Sequence, residues 1–188
     1  MDYKTKPISK RKLRRFARIM RHVFGEKKTG PFHVLNALEK VGDVFKGCNY
    51  VVVEDKYMPP KTMARCFQND LGGYTIEIKQ SVYDGAYEKK IGAYLGFICH
   101  ELCHVFLFYI GYTPIFERSF KDNVLPAFCS VEWQAKYLCN EVMIPHHESA
   151  GMSVNEMIKK YHCSKAFAEC RLNQSKKEKE QSNNAKFK

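Results

Sequence analysis

The chain has 188 residues, 45% of them hydrophobic, with 31 Lys and Arg against 20 Asp and Glu for a formal charge of +11. That is enough chain for one domain with a small appendage, and enough apolar content for a core that needs no disulfide staples. The basic excess favours acidic partners, but much of it is confined to KPISKRKLRRFARIMRH at the start and KKEKEQSNNAKFK at the end, where charge runs commonly serve as solubilising arms. The basic start lacks an apolar h-region, which argues against a secretion signal. The eight cysteines are scattered, with no close CxxC pair, and read as reduced thiols of a cytoplasmic protein.

In chain order, Arg11 to Phe24 forms a basic amphipathic helix with Phe16, Ile19, Met20 and Val23 on one side. Gly25 and Gly30-Pro31 punctuate it, and Phe32 to Val41 is a second helix, with Val34, Leu35, Leu38 and Val41 at helical spacing. NYVVVEDKYM is rich in β-branched residues and reads as a strand. ARCFQND, Gly72-Gly73 and YTIEIKQ form a hairpin in which Tyr74, Ile76 and Ile78 alternate with Thr75, Glu77 and Lys79. YTIEIKQ is also a candidate exposed edge beside a cleft, where an extended substrate would bind by adding a strand along Tyr74, Ile76 and Ile78.

Helical signals resume near Ala86 and run through HELCH to about Tyr109. After a loop marked by Gly111, Pro114 and Pro126, Ser130 caps a helix from Val131 to about Met143, which Pro145 terminates. SVNEMIKKYHCSKAFAECRL reads as helix, short turn, helix, and the polar composition from Gln174 is that of a disordered tail. The expected class is α+β: mainly helical, with a small antiparallel sheet of about three strands beside the HELCH helix. The expected organisation is a basic N-terminal helix (1–30), a core (31–145), a helix-turn-helix-like segment (146–173) and a basic tail (174–188).

The longest apolar run, Tyr94 to Ile110, contains His100, Glu101 and His104, and polar groups at that density argue against a lipid-facing span. Histidines four apart project about 40° from one another on a helix, so both imidazoles can reach one ion. Neutral imidazole is a good zinc ligand. Glu101 lies about 100° around from His100, so it flanks the ion and can take a proton from a water there. A catalytic zinc needs a third protein ligand. Glu132 in the first turn of the next helix is the favoured candidate; Glu117, Glu141, His146 and His147 compete. Nine positions put Glu141 on the opposite side of the helix from Glu132, so only one of the two can face the ion. Candidates for a second oxyanion donor are Tyr109, Tyr112, His146 and His147.

VYDGAYEKK…FICHELCHVFL followed by VEWQAKYLCNEVMIP resembles the ImmA/IrrE family of metallopeptidases, and the resemblance extends roughly from Lys12 to Leu172. The second motif is carried by Glu132, Gln134, Ala135, Leu138 and Pro145, and SVNEMIKKYHCSKAFAECRL is similar to the family's helical C-terminal segment. The resemblance implies a zincin-like fold and a gluzincin-type site holding one zinc ion per chain, with His100, His104 and Glu132 as ligands and Glu101 as general base. It further implies a cytoplasmic endopeptidase of a mobile element or prophage that cleaves a helix-turn-helix transcriptional repressor. Cys103 stands where the family usually has Gly, Phe108 where many members have His, and Cys139 where a small residue is usual; none of these removes an implied ligand.

A DNA-binding or protein-binding regulator that uses the fold without catalysis is the alternative. The helix-turn-helix-like segment and the basic ends suit weak nucleic-acid binding, although its second helix offers few base-reading side chains beyond Lys165 and Arg171.

Overall fold

The computed structural model describes residues 2–115 and 125–186. The chain runs α1 (Lys10–Val23), α2 (Val34–Glu39), α3 (Val41–Val44), β1 (Asn49–Val53), β2 (Ala64–Gln68), β3 (Tyr74–Lys79), α4 (Gln80–Tyr87), α5 (Gly92–Tyr109), α6 (Val131–Met143), α7 (His146–Ser149), α8 (Val154–Tyr161) and α9 (Lys165–Lys186). It is the expected α+β class, mainly helical with one three-stranded sheet among the described residues.

Ser9 starts α1 by accepting a hydrogen bond from the Lys12 amide, and Leu13, Ala17 and Met20 form the buried stripe that packs on α6. The predicted Phe32–Val41 helix is two short ones. The backbone at Lys40 (φ −89°, ψ 2°) leaves the helical region and turns α3 away from α2. The helix expected from Ala86 is likewise two, α4 and α5, separated at Lys90, whose φ of 51° is left-handed.

The hairpin of β2 and β3 forms as expected, but the sheet order is β1-β3-β2, with β1 parallel and β2 antiparallel to β3. The sheet is therefore mixed rather than wholly antiparallel. It also makes β3 the central strand and corrects the expectation that YTIEIKQ is an exposed edge. Both of its hydrogen-bonding edges are filled, and Ile76 and Ile78 are completely buried. The hairpin turn seats on the entry to β1 through Asn69, whose amide donates to the Gly47 carbonyl at 2.9 Å. A Cβ on Gly73 would fall 2.4 Å from Gly47, so only glycine allows this approach.

Helix α5 has the length and apolar composition of a membrane span, yet Ile98, Cys99, Leu102, Cys103, Val105, Phe106 and Leu107 are buried inside the fold. It is apolar nearly all round because β2, β3, α2, α4 and α6 all pack on it. Ser130 caps α6, accepting from the Trp133 amide at 2.8 Å. A Ser153–Glu156 capping box starts α8.

The expected disordered tail is corrected as well: α9 continues past Gln174 to Lys186. Lys, Glu and Gln are good helix formers, and Glu178 anchors the segment by accepting hydrogen bonds from Arg14 and from the Tyr137 hydroxyl. A single hydrophobic core runs from Ile8 and Leu13 through α5 and α6 to Met157, Tyr161 and Ala168, so it joins the first three segments proposed from sequence.

Candidate metal centre

Helices α5 and α6 cross so that the first turn of α6 faces the middle of α5. His100 and His104 point their Nε2 atoms at each other across 3.0 Å. Glu132 closes the triangle, with one oxygen 3.2 Å from His100 Nε2 and the other 3.5 Å from His104 Nε2. Ligands bonded to zinc at about 2.0–2.1 Å in a tetrahedron lie about 3.3–3.4 Å apart. The three observed separations bracket that edge length, so the residues present fit a zinc-sized cation. Three protein donors from imidazole and carboxylate are also the number and type found in catalytic rather than structural zinc sites.

The electrostatics agree. Hydrogen bonds from His100 and then His104 hold the Glu132 carboxyl well below the usual carboxylate range, although burial opposes them. Burial pushes the His100 imidazole down, but the Glu132 hydrogen bond and the charges of Glu101 and Glu132 outweigh it, and the net shift is upward. A cation bound here would compete with a proton for the same imidazole. Burial raises the Glu101 carboxyl, with the two imidazoles opposing and Glu132 reinforcing the shift. A base with a raised pKa is closer to the operating range of a general base at neutral pH. Edge strand β2 packs on α5, the helix that carries Glu101.

His104 is buried, its ring lies 5.3 Å from that of Phe108, and Phe108 in turn stands 5.2 Å from Tyr74. Of the three residues proposed for a substrate strand, Tyr74 therefore approaches the site through Phe108, while Ile76 and Ile78 belong to the core.

The competitors for the third ligand go elsewhere. Glu141 is buried and receives Arg171 at 2.8 Å and Arg14 at 3.2 Å. The His146 amide donates to Glu141, and its ring stands 3.7 Å from Glu178. The His147 side chain is exposed and 4.0 Å from Glu148. Glu117 lies outside the described residues.

None of the proposed oxyanion donors is brought to the imidazole pair. His146 and His147 sit beyond the far end of α6 in the contacts just given. Tyr109 packs its ring against Phe45, and the Tyr112 hydroxyl accepts from Lys12 at 2.6 Å. Both tyrosines line an open groove of about 1040 Å³ between α1, α3 and the end of α5, whose walls include none of His100, His104 and Glu132. Tyr109 fails because five positions on a helix amount to about 140° of rotation from His104. Of the two base-reading candidates, Arg171 is buried against Glu141, whereas Lys165 is exposed and pairs with Glu169.

Two features escaped the sequence. Asp2 accepts from the Glu132 amide and from the Ser130 hydroxyl, so the N-terminal segment steadies the turn that carries Glu132. Gln134 is buried and donates to the carbonyls of Lys6 and Phe128, both at 2.8 Å, which fastens that segment to α6. Nothing in the residue pattern announced the Asp2 and Lys6 contacts, since they join positions more than a hundred residues apart. The eight cysteines are all unpaired, and three of them, Cys99, Cys103 and Cys139, meet on the other side of α5.

No family model matches the chain, and no curated protein matches it.

Proposed function

We propose that the protein is a zinc-dependent endopeptidase of the cytoplasm whose substrate is a helix-turn-helix repressor. The observation that carries this reading is the convergence of His100, His104 and Glu132, from two helices, at separations that suit one zinc ion. The resemblance of the two helical motifs to the ImmA/IrrE family supports the choice of substrate and compartment. A zinc ion held there would supply Lewis acidity, activating a water and polarising the scissile carbonyl.

The chain's own residues do the rest. His100 and His104 bind through Nε2 atoms that a single helix face presents 3.0 Å apart. Glu132 adds the anionic ligand that offsets part of the dication's charge. Glu101 accepts the proton of the attacking water and delivers it to the leaving amine. Phe108 and Tyr74 form an apolar wall beside His104, which limits water around the reacting groups. An extended substrate segment would add to β2, an edge strand packed on α5, in place of the central strand β3.

The test incubates the chain with a helix-turn-helix repressor. Glu101→Gln is expected to retain one zinc ion and to lose cleavage by about 10²–10⁴-fold, the usual contribution of a general base. Fragments identified by mass spectrometry give the scissile bond. Undiminished cleavage by this variant, or by chelated protein, would remove the proposal.

A further inference from the structure

Helix α5 carries a second pair of potential ligands interleaved with the first. Cys99 and Cys103 each precede a histidine by one position, so the thiols emerge about 100° around the helix from the imidazoles. Cys139 of α6 meets them, and the three Sγ atoms all lie within 4.8 Å of one another. All three cysteines are essentially inaccessible to solvent. Met20 of α1 adds a fourth sulfur, with its Sδ 3.9 Å from Cys103 Sγ.

We propose that Cys99, Cys103 and Cys139 form a second metal site, distinct from the imidazole–carboxylate centre, that takes one Cu(I) ion with Met20 as a weak fourth ligand. Three sulfurs bound to one ion at about 2.3 Å in a trigonal plane would stand about 4 Å apart, so the triangle needs at most a small contraction. Buried cysteine ordinarily fills space as a small apolar side chain. Packing alone does not require three thiols from two helices to converge, with a thioether beside one of them. Ligand softness selects the ion: thiolate and thioether suit Cu(I), while imidazole and carboxylate suit zinc. Zinc in a closed site takes four Cys, His or carboxylate ligands, and the fourth atom here is a thioether.

Each thiol that ligates exchanges its S–H bond for a Cu–S bond and releases one proton to solvent. The ion enters and remains as Cu(I), so no oxidant or reductant takes part. Arg21 is buried and donates to the carbonyl of Val142, which places a positive charge about one turn beyond Cys139. The site involves none of His100, Glu101, His104 and Glu132, and it does not rest on the peptidase reading.

The experiment is anaerobic titration of the full chain against Cu(I) held by the coloured chelator bicinchoninate. Wild type and His104→Ala are both expected to withdraw one equivalent of copper, and Cys66→Ser to behave like wild type. The double variant Cys99→Ala/Cys139→Ala is expected to bind at least tenfold more weakly. Removing core volume can unfold that variant, so copper K-edge absorption on the wild-type complex gives an independent readout, with a shell of sulfur alone expected. Failure of wild type to withdraw copper, undiminished uptake by the folded double variant, or a shell containing nitrogen or oxygen overturns the proposal.

Discussion

Glu132 and Glu141 lie on one helix and meet opposite surroundings. Glu141 is buried and compensated: Arg171 and Arg14 both donate to it, and the His146 amide adds a third contact. Glu132 is half-exposed and faces two imidazoles, which are neutral or charged according to pH. A carboxylate clamped by two guanidinium groups has no capacity left for a cation, whereas one facing two neutral ring nitrogens has all of it. The difference teaches that ligand type alone does not make a site. What matters is whether the surrounding groups already satisfy the charge.

The largest effects should come from exchanging the two carboxylates' fates. Glu132→Gln is expected to abolish retention of zinc after dialysis while costing the metal-free protein only about 1 kcal/mol, because the pair it breaks with the imidazoles is half-exposed. Glu141→Gln is expected to keep one zinc ion and to lose about 3–5 kcal/mol of stability, because it leaves the buried Arg171 unpaired. Metal analysis and denaturant unfolding of both variants check the pair. Similar outcomes for the two would break the comparison.

A smaller effect concerns pH. In the metal-free protein His100 is raised above its ordinary value, so its pairing with Glu132 stabilises the fold below the unfolded imidazole pKa and is lost as pH rises through the folded one. Zinc requires the neutral ring, so its stabilisation moves the other way. Each pH unit below the raised His100 value should weaken zinc binding about tenfold. Thermal unfolding with and without zinc should therefore show a gap in Tm that widens from about pH 6 to about pH 8. A gap that narrows over this range would contradict the assignment of His100 as a ligand.

The smallest effect sharpens the positioning of Glu132. Asp2→Ala removes the acceptor for the Glu132 amide and the Ser130 hydroxyl. It should cost about 1 kcal/mol, in line with loss of a capping interaction, with zinc still bound at one per chain. Differential scanning calorimetry with metal analysis reads both.

These contrasts also mark what could be read from the residues alone. The His100–His104 pair was legible because helical spacing is local, and so was the exclusion of one of Glu132 and Glu141. Which of the two faced the pair depended on how α6 crosses α5, a relation that no periodicity encodes. The hairpin of β2 and β3 followed from Gly72-Gly73, but the insertion of β3 between β2 and β1 is a long-range pairing, and it moved the sheet edge from YTIEIKQ to ARCFQ. The polar run after Gln174 resembled a disordered tail because its stabilising partners, Arg14 and Tyr137, are distant in sequence. The spacing of Cys99 and Cys103 was visible in the same way as that of the histidines. Their meeting with Cys139 was not.

Zinc K-edge absorption on the purified full chain loaded with one equivalent of zinc tests the central assignment most directly. The account predicts two imidazole nitrogens and carboxylate oxygen at about 2.0–2.2 Å, with this shell lost in Glu132→Gln. A shell dominated by sulfur near 2.3 Å, or an unchanged spectrum in the variant, would contradict it.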